Sequence, residues 1–286
     1  MFPHPLSYPK IAILPALQRI HRLPVSEPEK TTVKALANAL KVLSAFKTPR
    51  GRWSVTDLCE YTGFSKSHVS KILSEFRNAK LLVQDPDSRE YSVGASAMIL
   101  AGHFLSSQGI VREAIGHMRR LTTELGHSSF LSILDNDRVM HLAEIQGPHF
   151  FDVGTGVGML LAPHASAVGK LLYAFKSPEG GPEMPKGELV RYTPKTITSP
   201  KELMQQLKEI RRTGISSTDE EHVLGVCAVA VPVFQADSRA IAALALMFPR
   251  HIANAKTVPV VAERLQSVAR EISGRLGAPV YPFGSP

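Results

Sequence analysis

The sequence has little cysteine, one tryptophan and no long apolar run among its 286 residues. Cys59 and Cys227 are too few and too isolated for a disulfide framework or a cysteine-rich zinc site, which fits a reducing cytoplasm. No stretch approaches the roughly 20 apolar residues of a membrane-spanning helix, so no membrane partner is expected. Also missing are an HExxH pair, a GxSxG elbow and a cysteine with a catalytic signature, which makes an enzyme the remotest reading. Gly154-Thr155-Gly156-Val157-Gly158 lacks GxGxxG spacing, and no Lys-Ser/Thr pair follows it, so it reads as a loop. No cofactor or metal is expected.

What the chain does have is apolar content and positive charge. With 44% hydrophobic residues it can bury two sizeable cores. The net charge of +8 gathers at one end: residues 1–94 carry 14 Lys and Arg against 8 Asp and Glu, and the remainder carries 19 against 17. A basic third is the footprint of a polyanionic partner only when a recognition element coincides with it. Residues 1–30 are rich in proline, and the apolar run over residues 11–17 is broken by Pro15 with no small-residue cleavage site after it. They read as a flexible or non-native extension rather than a signal peptide.

The recognition element is legible over residues 54–93. Ser54-Val55-Thr56-Asp57 has capping-box spacing and opens a short helix through Leu58, Cys59 and Tyr61. Gly63 can take the left-handed conformation that ends it, and Ser65 can cap the next helix. There Val69, Ile72, Leu73 and Phe76 recur at helical spacing, while Lys66, Ser67, Ser70, Lys71 and Ser74 hold the opposite side. An ordinary amphipathic helix has the same pattern, but two helices joined by a tight glycine turn give a helix-turn-helix, whose second helix enters the major groove of double-stranded DNA. Residues 81–83 read as a strand, Asp85-Pro86-Asp87-Ser88 as a type I turn, and residues 89–93 as the returning strand of a wing. Candidate DNA contacts are Ser65, Lys66, Ser67, His68, Ser70 and Lys71 at the groove, with Arg52 and Arg89 on phosphates. In the preceding helix Val33, Leu36, Ala37, Leu40, Leu43 and Phe46 form a stripe expected to be buried.

This stretch resembles the IclR family of bacterial transcription regulators. The likeness rests on Val33-Lys34-Ala35-Leu36 through Phe46, on Gly63-Phe64-Ser65-Lys66-Ser67 with Val69 and Ile72-Leu73, and on Tyr91-Ser92-Val93-Gly94. His68 stands where the family usually has Thr, and Lys71 where it usually has Arg. Lys71 can still meet a phosphate but lacks the planar fork for bidentate guanine reading. The likeness continues through Pro163-His164-Ala165-Ser166-Ala167-Val168-Gly169-Lys170-Leu171-Leu172, through Asp219-Glu220-Glu221-His222-Val223-Leu224-Gly225, and through Val229-Ala230-Val231-Pro232-Val233-Phe234. Asp219 to His222 read as a solvated or structural acidic turn, because adjacent residues of an extended segment point to opposite sides.

From residue 95 onward the periodicities give a linker helix broken near Gln108-Gly109, an amphipathic helix over residues 110–125, and strands over residues 130–134, 139–145 and 150–153. A helix over residues 200–212, a strand over residues 241–248 and a closing helix over residues 257–276 complete an α+β fold with a mostly antiparallel sheet. The resemblance implies a winged helix-turn-helix domain over residues 31–94, a linker over residues 95–109, and a GAF-like effector-binding and oligomerisation domain over residues 110–286. It also implies a homodimer or homotetramer that binds a DNA operator and a small-molecule effector.

By the same resemblance, effectors lie between the helix start near Ala167 and the late strands, where family members commonly offer an acidic residue, a cysteine and serines. The matching positions here are Thr218, Ala228, Ala245 and Met247, and Cys227 is displaced by one residue. On a strand, that displacement turns the thiol to the other face. A pocket without those anchors disfavours a small, highly polar acid, because buried carboxylates and hydroxyls need partners. The expected effector is a carboxylate more apolar than glyoxylate or pyruvate, oriented by the amides of Ala167 and Val168 and lined by Phe150, Val153, Leu161, Val226 and Met247. In the alternative reading Met247 fills the cavity, and the regulator is blind to ligands.

Overall fold

The computed structural model describes residues 30–48, 50–135, 137–148, 156–254 and 257–284. The extension over residues 1–29, and Phe150 and Val153 with the strand expected around them, lie outside these. Helix α1 (Lys30–Ala45) leads to α2 (Val55–Thr62), α3 (Lys66–Asn78) and an antiparallel pair, β1 (Leu82–Gln84) with β2 (Tyr91–Val93). Their core joins Val42, Ala45, Phe46, Trp53, Leu58, Val69, Ile72, Leu73, Leu82 and Tyr91. The stripe expected on α1 needs correction, since Leu36 and Leu40 are 60% and 55% exposed. An eight-residue helix such as α2 is only about 12 Å long, so it reaches the last turns of α1, and Val42 and Ala45 are buried there instead.

The capping box forms as expected: Ser54 Oγ accepts from Asp57 N–H, and Asp57 accepts from Ser54 N–H. Gly63 closes α2 at φ 74°, its N–H bonded to Cys59 O at 2.8 Å. Ser65 sits at the N-cap of α3 but makes no capping hydrogen bond; its hydroxyl lies 3.3 Å from Ser67 Oγ. The wing gains a third segment, because Trp53 N–H donates to Tyr91 O at 2.9 Å and Tyr91 N–H to Trp53 O at 2.8 Å. Arg89 lies outside the strand in which it was expected. At φ 59° it is the left-handed residue that completes the wing turn, while Asp85 Oδ1 accepts from the N–H groups of Asp87 and Ser88.

Helix α4 (Ala95–Ser107) buries none of its residues, and α5 (Gly109–Leu125) starts after the expected break at Gln108. The remainder is built on one antiparallel sheet in the order β5 (Leu160–Leu161), β4 (Arg138–Ile145), β3 (Ser128–Asp135), β8 (Ala240–Pro249), β7 (Val226–Phe234) and β6 (Ser216–Asp219). Strand alternation divides its faces. Cys227, Val229, Val231, Leu244, Leu246 and Phe248 pack on α5 and α8 (Thr257–Arg275), whereas Ala230, Ala243 and Ala245 face α6 (Ala167–Ala174) and α7 (Pro200–Thr213). Bulky side chains fill the first interface, and alanines leave space in the second. Among the described residues no helix is long and apolar enough to cross a membrane.

Candidate DNA-binding surface and effector cavity

Helix α3 is held by its apolar side and by α1. Lys41 Nζ donates to Thr62 O at 2.8 Å and lies 5.1 Å from the Phe64 ring centroid, which ties the turn between α2 and α3 to the first helix. The outward side then carries Lys66, Ser67, Ser70 and Lys71, all exposed. Among the described residues, neither lysine has an acidic partner, and the same holds for Arg89 at the wing tip. Arg52 differs: its guanidinium lies 3.4 Å from Asp85 Oδ2, so it braces the wing turn. His68 differs too. It is half-buried, bonded through Nε2 to the Asn38 amide of α1 at 3.1 Å and set edge-on to Phe64. The geometry gathers Lys66, Ser67, Ser70, Lys71 and Arg89 as outward groups, and gives Arg52 and His68 contacts that position the elements carrying them.

The second site is a cavity under the alanine-lined part of the sheet. Its wall includes Leu161, Ala167, Val168, Thr218, Val226, Ala228, Ala245 and Met247, so every described residue expected there is brought together. Space reachable by the centre of a water-sized sphere is about 70 Å³. One water needs roughly 10–15 Å³ on that measure, so Met247 does not fill the cavity. Cys227, one residue from Ala228, faces the opposite core, where burial pushes its thiol up to about 12.

Sequence reasoning missed the polar part of the wall, which is formed by His141, Ser166 and His222 beside Phe130. His141 is 5% exposed; its Nδ1 is 2.7 Å from Ser132 Oγ and its ring 4.6 Å from that of Phe130. Burial pulls its pKa down to about 4, so it is neutral near pH 7. Ser166 starts α6, its hydroxyl donating to Ala162 O at 2.8 Å and accepting from Gly169 N–H at 3.2 Å. A Cβ at Gly169 would run into the backbone of Pro163, so only glycine lets α6 begin this close to the loop before it.

Directly behind the wall lies a buried ion pair. Lys170 Nζ is 2.7 Å from Glu221 Oε1 and donates to Gln206 Oε1 at 3.0 Å. Burial lowers the lysine pKa and raises the carboxyl pKa, each opposed by the charge of the other. The acidic turn is thus two things. Asp219 and Glu220 are outer residues held by Lys195 and, for Asp219, by Arg250, whereas Glu221 reaches inward. No group of three or more His, Cys, Asp or Glu suited to a metal occurs among the described residues.

Residues 35–86 match the model of the IclR helix-turn-helix domain, and residues 102–274 match that of the bacterial transcriptional regulator IclR C-terminal domain. The chain belongs to the IclR family. It is 29% identical over 249 residues to the HTH-type transcriptional regulator XynR of Escherichia coli K12, covering 86% of this chain and 98% of that protein. Identity is also 29% over 221 residues to the p-hydroxybenzoate hydroxylase transcriptional activator of Acinetobacter baylyi, with 75% and 81% covered. An IclR homologue from Microbacterium hydrocarbonoxydans, solved in complex with 4-hydroxybenzoate, has the same fold at a TM-score of 0.69, with 24% identity and 85% and 98% of the two chains covered. As an IclR-family member the protein is a DNA-binding transcriptional regulator, and its relatives are regulators rather than enzymes.

Proposed function

We propose that this regulator is controlled by an aromatic or aliphatic monocarboxylate more apolar than glyoxylate or pyruvate, bound in the cavity between α6 and the sheet. The observation that carries this reading is the wall itself: Phe130, Leu161, Val226, Ala228, Ala245 and Met247 supply apolar surface, with polar groups confined to a few positions. The amides of Ala167 and Val168 open α6, where a helix start favours an anion. Two similar proteins carry 4-hydroxybenzoate or its hydroxylase in their names, which supports an aromatic acid as the first probe. Thermal melting against a panel of acids tests the reading. A selective rise in the midpoint with 4-hydroxybenzoate or a related ring acid is expected. Micromolar binding of glyoxylate or pyruvate, with no response to larger acids, would reject it.

The DNA-bound form is a cytoplasmic homodimer or a pair of dimers in this reading. Leu36 and Leu40 on α1, together with Met98, Ile99 and Leu100 on α4, leave large apolar side chains uncovered by the chain's own residues. A solution mass of twice or four times the chain mass in light scattering is the expected result, and a monomer at micromolar concentration would reject it. Two copies would set two recognition helices at a fixed spacing, and the effector would act by binding one spacing more tightly than another.

A further inference from the structure

Two imidazoles line the cavity, each with a ring nitrogen that has no hydrogen-bond partner among the described residues. Nδ1 of His141 is engaged by Ser132, but its Nε2 has no partner among the described residues, although the side chain is more than nine-tenths buried and lines the cavity. His222 has no hydrogen bond to either ring nitrogen among the described residues and lines the same space. Its place is fixed by its neighbours. Glu221 is held by Lys170, and Glu221 O accepts from Thr196 Oγ1 at 2.6 Å. The His222 ring stands edge-on to Tyr192 at 4.7 Å, and Tyr192 in turn packs on His164. His164 precedes Ala167 by three residues, and Ser166, Ala167 and His222 line the same space, so His222 faces the cavity near the start of α6.

We infer that His222 takes up a proton when an acid binds, pairing as imidazolium with the ligand carboxylate at the start of α6, so that the regulator reads acid concentration and pH together. The inference rests on the carboxylate reading above. The groups around His222 are the Tyr192 phenol, His164, the Glu221 and Lys170 pair behind it, and His141 on the opposite wall. Glu221 is already engaged by Lys170, and Asp219 and Glu220 are tied to Lys195, so among the described residues no carboxylate is paired with the ring. Without ligand, burial and the neighbouring His164 lower the pKa of His222 from the ordinary histidine value of 6.5. A carboxylate in contact reverses that, since an opposite charge within hydrogen-bond reach favours the charged form. The balance is one neutral imidazole, one carboxylate anion and one proton from solvent, giving an ion pair. His141 stays neutral and offers its free Nε2 to an uncharged polar atom of the ligand.

Over the range in which free His222 is neutral and bound His222 is charged, binding consumes up to one proton, and affinity falls by up to about tenfold for each unit rise in pH. Calorimetry of the full-length protein with 4-hydroxybenzoate, at pH 6.5, 7.5 and 8.5 and in two buffers of different ionisation heat, reads both quantities. Wild type is expected to show buffer-dependent heat equivalent to close to one proton near pH 7.5. His222→Gln is expected to bind with no proton uptake and a flat pH profile, whereas His141→Asn keeps the uptake and loses affinity. Binding by wild type with no buffer-dependent heat overturns the inference and leaves the carboxylate reading standing, even where a variant fails to fold. Retained uptake in folded His222→Gln overturns it too. Absence of binding by every ring acid at all three pH values overturns both.

Discussion

Replacing Lys170 with Met is expected to destabilise the protein by about 3–5 kcal/mol, because it leaves the Glu221 carboxylate buried without its cation. Only 1% of the lysine side chain and 9% of the glutamate side chain are exposed, so water cannot take over the missing interaction. Glu221 Oε2 has no hydrogen-bond partner among the described residues, which places the pair near the limit of what the interior tolerates. The cost should shrink as pH falls, since Glu221, whose pKa burial has already raised, can then take a proton and enter the interior uncharged. The double variant Lys170→Met/Glu221→Leu should regain most of the stability, because two apolar side chains need neither partner nor solvent. Urea midpoints for the two single variants and the double variant form a cycle. Single effects below about 1 kcal/mol that simply add would contradict a coupled, desolvated pair. The pair joins α6, whose first residues line the cavity, to the loop that carries His222.

The second large effect is on DNA. Lys66→Ala/Lys71→Ala should weaken operator binding by about a hundredfold or more, since each charge-assisted hydrogen bond is worth roughly 1.5–3 kcal/mol. The slope of affinity against salt should be shallower by about one for each phosphate that the variant no longer neutralises. Both lysines are exposed on α3 and neither has an acidic partner among the described residues, so the fold should be indifferent to their removal. An unchanged melting midpoint with a steep drop in affinity is therefore the expected combination. Equal affinity at low and moderate salt would reject their assignment to the groove. Arg52→Ala should behave differently, because its ion pair with Asp85 makes part of its effect a change in the wing.

Much of this molecule is legible in its sequence because the signals are local. The capping box at Ser54 and Asp57, the left-handed Gly63 and the periodic Val69, Ile72 and Leu73 each determine conformation within a few residues, and all appear where the sequence puts them. The one-residue displacement of Cys227 also predicts its face correctly, because alternation along β7 is regular at that end. Failures occur where distant partners decide. Whether Leu36 and Leu40 are covered depends on how far α2 reaches, which the period of α1 does not contain. His141 escapes sequence reasoning because β3 and β4 are out of simple register: Leu131 pairs with Ala143, yet Ser132 pairs with His141. That bulge breaks the alternation by which a strand residue is assigned to a face. Glu221 and Lys170 lie 51 positions apart, and only the sheet and α6 bring them together. Residue type alone suggests a capping bond for Ser65, but its hydroxyl turns to Ser67 instead.

Occupancy of the cavity should alter DNA binding, and one titration tests this central claim directly. Full-length protein would be used to select duplexes from a random pool. Affinity for the selected duplex would then be measured by fluorescence anisotropy with and without saturating 4-hydroxybenzoate, at fixed salt and pH. A coupled regulator should change affinity by at least about fivefold, the lower end of ordinary coupling between two sites. Blocking the cavity with Ala245→Phe should abolish that change while leaving ligand-free DNA binding intact. The same affinity in both conditions, with calorimetry showing the acid bound, would contradict the claim and leave a DNA-binding protein whose cavity does not speak to its recognition helix.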